Sequence, residues 1–414
     1  MTQVIIVGIG GYGRTLIDVL LAGQEHLDFR LAAAADSRLA SLTGREQAVA
    51  AALQQSGVEL FDDALKMFDA WRGKAQAAYV ATGIPSHEPL AVAAMQAGFH
   101  LHLEKPPAAT IQEVDRMLRV ARGADRMVLV GFQAMHRLDL QGLKQRILAG
   151  RLGRIEHLAC WAGWPRARSY FQRNPWAGRL RSGRRWVLDG PATNALAHQI
   201  ANLLYLCGPD QTGWGDVDAV RAELYAAQGE SHDTAAIEIT TAQGPRACFM
   251  ATHCGQLDQY GPTILIQAQR GSVTWSNQDG ARITYGDGTS EHLAPDRDQE
   301  VRRRMVENLV RAVQADDASR LRCPLEQARK MVLAIDAAHE SSRMIHRIAG
   351  HYTQVADAGA DEERTWIMDI DPLMESAARR PGLFSDLPGP PPWSVRTQPF
   401  TTADYRKFPQ RFKG

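Results

Sequence analysis

Short apolar runs and amphipathic stretches alternate through the first third of the chain. QVIIVGI is a compact run with β-branched residues and reads as a strand. YGRTLIDVLLAG, just behind it, spaces its apolar positions for a helix. FRLAAAAD, AAYVATG, FHLHLEKP and RMVLVGF repeat the strand pattern, while SRLASLTGREQAVAAALQQSG, EPLAVAAMQAG and IQEVDRMLRVARGA repeat the helical one. That alternation predicts a parallel, doubly wound α/β sheet over residues 1–130. Near Gly131 the rhythm changes. After a helical LDLQGLKQRILAG come RIEHLACWAGW, DAVRAELYAA, TAAIEITT, RACFMATHCG, TILIQAQRGSVTWSN and ARITYGDG, strands with turns and no long helix between them. They predict an α+β domain on an open, mostly antiparallel sheet over residues 131–350. Helices are expected there at Val301–Gln314 and Leu325–Ile348. Residues 351–414 hold the proline-rich DLPGPPPW but also Trp366, Ile367, Ile370, Phe384 and Trp393. Disordered segments lack so many large apolar residues. An extended tail packed on the body or on a neighbouring subunit is expected.

One further stretch, DGPATNALAHQIANLLYLCG, reads as a single helix from Asp189 to Gly208. Leu196, Ile200, Leu203, Leu204 and Cys207 recur at helical spacing. Asn194, His198 and Asn202 then line up on a neighbouring face.

Composition narrows the function classes. A chain of 414 residues exceeds the usual single domain. A formal net charge of +1 makes no general case for nucleic acid or a membrane surface. The five cysteines are scattered without metal-ligand spacing, so no metal site is expected, and the odd count suits a reducing compartment. No apolar run is long enough to span a bilayer. MTQVIIVGIGGYG enters a strand directly and leaves no room for a signal peptide. The expectation is a cytoplasmic protein.

Candidate chemistry begins at Gly8-Ile9-Gly10-Gly11-Tyr12-Gly13, between the first strand and the first helix. Gly8 permits the tight turn, Gly10 lets the backbone approach a pyrophosphate, and Gly13 lets helix and strand pack closely. The helix start offers free N–H groups to an anion. Asp36 ends the second strand, where a carboxylate accepts from ribose hydroxyls and repels a 2′-phosphate. This favours NAD over NADP, although Ser37 and Arg38 are residues that can accommodate a phosphate. A Rossmann domain is therefore expected. Glu104-Lys105-Pro106 closes a later strand on the ligand-binding edge of such a sheet. There the Lys105 ammonium can hold a substrate hydroxyl and stabilise charge as its proton leaves.

GIGGYG, AADSR, ATGIPSHEPL, LEKP and VGFQAMHRLD, in this order, resemble the Gfo/Idh/MocA family from about Val4 to Gly350. Its members are nicotinamide-dependent oxidoreductases acting mostly on sugars, inositols and related polyols. The resemblance implies that Thr82, Pro85 and His87 lie beside the cofactor's diphosphate and nicotinamide ribose, with Glu104, Lys105 and Gln133 near the nicotinamide. Met135 departs from the pattern, since many members carry arginine there. DGPATNALAHQ resembles the family's GGGxLxDxGxH, which makes His198 the acid/base group and puts Asn194 in place of an aspartate. An amide orients the ring but adds no charge. Three accounts follow: His198 works at a lower pKa, Asp189 supplies the charge from the preceding loop, or oxidation is not the physiological direction and the site serves another chemistry or only binding.

Between the first strand of the second domain and this helix, WPRARSYFQRNPWAGRLRSGRRWVLDG is rich in arginine and aromatic residues. Aromatic faces pack on sugar C–H surfaces, and guanidinium groups bind carboxylate or phosphate. Tyr170, Arg173 and Trp176, with Asn194 and His198, are the expected substrate contacts. The sequence reading is thus NAD-dependent hydride transfer at a secondary hydroxyl of a sugar, sugar acid or polyol, in a homo-oligomer (dimer or tetramer), at a site between the domains. The alternatives are redox-neutral, NAD-dependent glycoside cleavage and a non-catalytic dinucleotide and sugar sensor.

Overall fold

The structure, a computed structural model, describes residues 1–414 except 357, 358, 360 and 361. Contacts divide it into two units. The first comprises Met1–Ala108, Glu113–His136 and Arg297–Arg329. Its strands are β1 (Thr2–Val7), β2 (Phe29–Ala35), β3 (Glu59–Phe61), β4 (Ala77–Val80), β5 (His100–Leu103) and β6 (Val128–Val130). They form one parallel sheet in the order β3-β2-β1-β4-β5-β6. The helices in this span are α1 (Tyr12–Gly23), α2 (Gly44–Gln55), α3 (Ala64–Trp71), α4 (Ile84–Gln96) and α5 (Ile111–Ala124). Val4 to Val7 and Ala32 to Ala35 are all buried, as expected of strands covered on both faces. The alanines of β2 leave room for close helix approach. Chain order reverses between β1 and β4, the switch point at which doubly wound sheets bind ligands.

Two elements here escape the sequence pattern. β3 has three residues, too few to show alternation, and α3 follows it. Asp63 caps α3, accepting from the N–H groups of Leu65 (2.7 Å) and Lys66 (3.0 Å). The helix predicted from Ser37 begins only at Gly44, after a short 3-10 turn at Leu39–Ser41. The helix Asp298–Ala315 belongs to this first unit, although the pattern assigned it to the second domain. Its Val306 carbonyl accepts from the hydroxyl of the buried Tyr79 at 2.8 Å.

The second unit comprises Ala109–Gln112, Arg137–Asp296 and Lys330–Gly414. It opens with α6 (Leu138–Leu148) and β7 (Ile155–Gly163), then α7 (Arg168–Gln172) and a small hairpin of β8 (Arg181–Ser182) and β9 (Arg185–Trp186). After α8 (Ala197–Leu206) come β10 (Val217–Ala226), β11 (Thr234–Thr241), β12 (Arg246–Thr252), β13 (Tyr260–Ala268), β14 (Gly271–Ser276), β15 (Gly280–Tyr285) and β16 (Ser290–Leu293). The sheet runs β16-β15-β14-β13-β7-β12-β11-β10 and is largely antiparallel. β7 and β12 pair in parallel. The helix expected to reach Ile348 stops at Ser342, and His346–Arg347 then joins the sheet beside β10.

The last segment packs on this same unit. Ile367, Ile370, Met374, Leu383 and Phe384 are buried with Trp161, Tyr225 and Met250 of the sheet. Ile370–Ala378 is a regular helix, and Phe400–Thr401 pairs with β10. Glu340, fully buried, anchors the final residues. Its carboxylate accepts from the Tyr405 hydroxyl (2.8 Å), the N–H groups of Gln410 (2.6 Å) and Phe412 (2.9 Å), and that of Arg411.

Candidate active site

The glycine turn has steric reasons at each position. Gly8 has φ 99°, and a Cβ there would lie 2.4 Å from the Ala81 carbonyl oxygen. A Cβ on Gly13 would lie 2.1 Å from the Gly8 carbonyl oxygen. Gly10 meets the Arg38–Glu46 pair, where a Cβ would fall 2.1 Å from Glu46 Oε1. Gly11 is exposed, has open space around it, and starts α1 without a side-chain cap. An anion fits at that helix start. Asp36 holds the turn from the end of β2. Its Oδ2 accepts from the buried Ile9's N–H at 3.0 Å and its Oδ1 from the Arg38 N–H at 2.9 Å. Ser37 beside it is exposed.

The loops after β4 and β5 are tied together by His87, which lies on α4. Its Nδ1 is 2.8 Å from the Pro106 carbonyl oxygen and its Nε2 is 3.0 Å from that of Thr82. Burial lowers the His87 pKa, against the pull of those two carbonyls. Pro85 sits in the first turn of α4, where its missing N–H costs nothing. Thr82 Oγ1 is buried without a hydrogen-bond partner among the described residues, an orphan that a bound cofactor can satisfy. Glu104 is buried and its Oε2 accepts from the Lys105 backbone N–H at 3.3 Å, fixing the strand end. Lys105 itself is half-buried, and the Lys105–Pro106 peptide is cis. Gln133 starts a short 3-10 turn after β6, and its Oε1 accepts from the Tyr12 hydroxyl at 2.8 Å. Burial, then Glu104, raises the Tyr12 pKa, so this hydroxyl stays a donor.

In the second unit the predicted Asp189–Gly208 helix is broken. Pro191–Ala195 forms a π-helical turn, with the Leu196 N–H reaching back to the Pro191 carbonyl at 2.8 Å. Leu196 (φ −112°, ψ 15°) ends that turn, and α8 starts at Ala197. The apolar spacing continues across the break, so periodicity alone does not reveal it. π turns recur at functional sites. The polar row is split accordingly. Asn202 is fully buried and donates to Gln199 Oε1 at 3.2 Å, whereas Asn194 and His198 are half-buried. Asp189 backs Asn194: its Oδ1 accepts from Asn194 Nδ2 at 2.8 Å and its Oδ2 from the Gly178 N–H at 2.7 Å. A buried carboxylate thus stands one side chain behind Asn194. Lys144 on α6 holds the other end of α8, donating to the carbonyls of Tyr205 (2.6 Å) and Gly208. Burial lowers the Lys144 pKa to about 8.

Tyr170 and Arg173 lie together, the Arg173 guanidinium carbon 3.5 Å from the Tyr170 ring centroid and 5.6 Å from that of Trp176. Arg173 Nη2 is 3.9 Å from Asp189 Oδ2. The sequence pattern did not single out Arg166 or His253. The Arg166 guanidinium carbon lies 4.6 Å from the Tyr170 centroid, and the His253 ring lies 5.7 Å from it. No spacing rule connects residues on two strands that are neighbours only in the folded sheet. Glu46 was also missed, since it reads as an ordinary solvated helix position.

The strand order, glycine turn and Asp36 define a dinucleotide-binding Rossmann domain. Residues 2–132 match the Gfo/Idh/MocA family, described as an oxidoreductase family with an NAD-binding Rossmann fold. The chain is thus similar to that family's NAD-binding domain over residues 2–132. Among curated proteins, it is 31% identical over 136 residues to an inositol 2-dehydrogenase of Serratia proteamaculans, covering 33% of this chain and 36% of that protein. It is 31% identical over 128 residues to a D-glucoside 3-dehydrogenase of Escherichia coli, covering 31% of this chain and 34% of that protein. These alignments span only about a third of either relative's length. The fold match extends further. The WlbA dehydrogenase of Bordetella pertussis, solved with NADH and UDP-GlcNAcA, superposes with a TM-score of 0.67 at 22% identity, covering 83% of this chain and 96% of that one. Among the described residues, no helix is long and apolar enough to cross a membrane, and no group of three or more His, Cys, Asp or Glu is placed to hold a metal ion.

Proposed function

We propose that this chain is an NAD-dependent oxidoreductase that moves hydride between the nicotinamide and a secondary hydroxyl of a sugar, sugar acid or polyol. The observation that carries the reading is the glycine turn and Asp36 at the switch point of a β3-β2-β1-β4-β5-β6 sheet, within a matched NAD-binding family domain. The relatives named for dehydrogenation of an inositol and a glucoside support the substrate class. When bound, the cofactor supplies the hydride acceptor or donor. Gly8 to Gly13 and Asp36 hold its adenosine and diphosphate end, with Arg38 at the edge. Thr82, Pro85, His87, Glu104 and Gln133 shape the nicotinamide end.

Lys105 holds the substrate hydroxyl and stabilises its developing negative charge. His198 takes the hydroxyl proton on oxidation and returns it on reduction. Asn194 orients the imidazole or the substrate, and Asp189 fixes Asn194 through its amide while keeping a negative charge nearby. This backing carboxylate favours catalysis over a purely sensing role. The test is NADH absorbance at steady state together with product analysis over a panel of sugars, sugar acids and polyols. NADH should accumulate with oxidised product. Product without net NADH would establish redox-neutral cleavage instead, and tight NAD binding without turnover of any panel member would sink both enzymatic readings.

Asp36→Ala removes the acceptor for ribose hydroxyls and the negative charge that repels a 2′-phosphate, with Arg38, still paired to Glu46, at the edge of the site. NAD affinity should fall by about tenfold, and the NADP-to-NAD ratio of kcat/KM should rise. An unchanged ratio would mean that Asp36 only buttresses the turn through Ile9.

A further inference from the structure

The parallel pairing of β7 with β12 makes their C-terminal extensions leave the sheet side by side. The Trp164 N–H donates to the Thr252 carbonyl at 2.9 Å and the Arg166 N–H to that of His253 at 3.0 Å. The chain then turns into α7, which brings Tyr170 back to the same place. Two guanidinium groups share that phenol ring, Arg166 at 4.6 Å and Arg173 at 3.5 Å from its centroid. Trp164 lies 5.6 Å from Arg166, and Trp176 lies 5.6 Å from Arg173.

Among the described residues, charge in this cluster does not balance. Asp189 is its acid, and both Asp189 oxygens are engaged by Gly178 and Asn194. Arg173 reaches Asp189 only at 3.9 Å. Arg166 has no carboxylate partner among the described residues, and its buried Nε has no hydrogen-bond partner there. Trp164 Nε1 and His253 Nε2 are likewise buried without partners. Orphaned polar atoms of this kind call for an explanation, and three on neighbouring side chains point to a common occupant. His253 adds a complementary group. Its Nδ1 lies 2.9 Å from the Trp164 carbonyl oxygen and must carry the proton, which leaves Nε2 as an acceptor. Burial, then Arg166, lowers the His253 pKa to about 3, with Arg173 acting in the same direction, so the ring is neutral near pH 7.

We infer that this cluster recognises the carboxylate of a hydroxylated acid, with Arg166 as its principal cation and His253 accepting from an adjacent hydroxyl. A carboxylate matches a planar guanidinium fork in bidentate fashion. A phosphate presents the same oxyanion chemistry, and the choice of probes separates the two. The inference rests on the hydride-transfer reading only in taking this ligand as the substrate.

The experiment is calorimetric titration of the NAD-saturated full chain with D-glucuronate, D-gluconate, D-glucose and glucose 6-phosphate. At least one carboxylate probe should bind about tenfold or more tightly than glucose. Arg166→Met should erase that margin and leave NAD affinity unchanged. Arg166→Lys, which keeps the charge and loses the fork, should retain part of it and serves if the methionine variant does not fold. Arg168→Met, at an exposed neighbouring position, should match the wild type. Carboxylates no tighter than glucose, or unchanged carboxylate affinity in Arg166→Met, would overturn the proposal. Preferential binding of glucose 6-phosphate would overturn the carboxylate assignment. Because the readout is affinity, a chain that binds glucuronate through Arg166 but never reduces NAD sinks the oxidoreductase reading alone.

Discussion

Replacing His198 by alanine is expected to lower kcat by roughly 10²- to 10⁴-fold, the range of a positioned general acid or base. The expectation rests on where the side chain is held. His198 is half-buried in the first turn of α8, directly after a π-helical turn, while Lys144 fixes the far end of the helix through its carbonyls. Asn194 and Asp189 support the approach to this helix. NAD affinity should change little, because the turn and Asp36 lie in the other unit. Single-turnover rates for the variant, with NAD affinity measured in parallel, separate a chemical defect from a binding one. Full activity in His198→Ala would remove the histidine from the mechanism.

Glu340→Ala is expected to destabilise the second unit by roughly 3–5 kcal/mol, because each buried donor left unsatisfied costs about 1–3 kcal/mol. Removing this carboxylate strands the Tyr405 hydroxyl and the N–H groups of Gln410, Arg411 and Phe412. The loss should spread. Phe408 and Phe412 stack edge-on against Trp186 at 5.1 and 6.2 Å, so the β8–β9 hairpin loses its backing when the terminal segment detaches. Denaturant unfolding followed by tryptophan fluorescence tests this. A midpoint within error of the wild type would show that the terminal segment contributes little to stability.

Much of the first unit is legible in the residues. β1, the glycine turn and α1 announce themselves because each glycine answers a local steric need within a few residues. Asp36 is legible for the same reason, as the residue that ends the next strand. What is not legible depends on partners distant in the chain. The break at Leu196 is hidden because apolar spacing continues through a π turn, and Pro191 is its only local sign. Asn202 looks equivalent to His198 on a helical wheel, yet faces the core. Arg166 and His253 meet through β7–β12 pairing, which joins strands some ninety residues apart and has no signature in either strand. Asp63 was a readable cap for α3, but a three-residue strand ahead of it offered no pattern to anchor the reading.

The return of Asp298–Ala315 to the first unit has a consequence for how that unit can be made. The Tyr79 hydroxyl on β4 donates a hydrogen bond to the Val306 carbonyl, and the His136 carbonyl accepts from Arg304 at 3.0 Å. On the ribosome, the dinucleotide-binding unit therefore waits through more than 150 further residues of synthesis before this helix can dock. A gene fragment cut near codon 136 would encode all six parallel strands and still expose the surface that the helix covers.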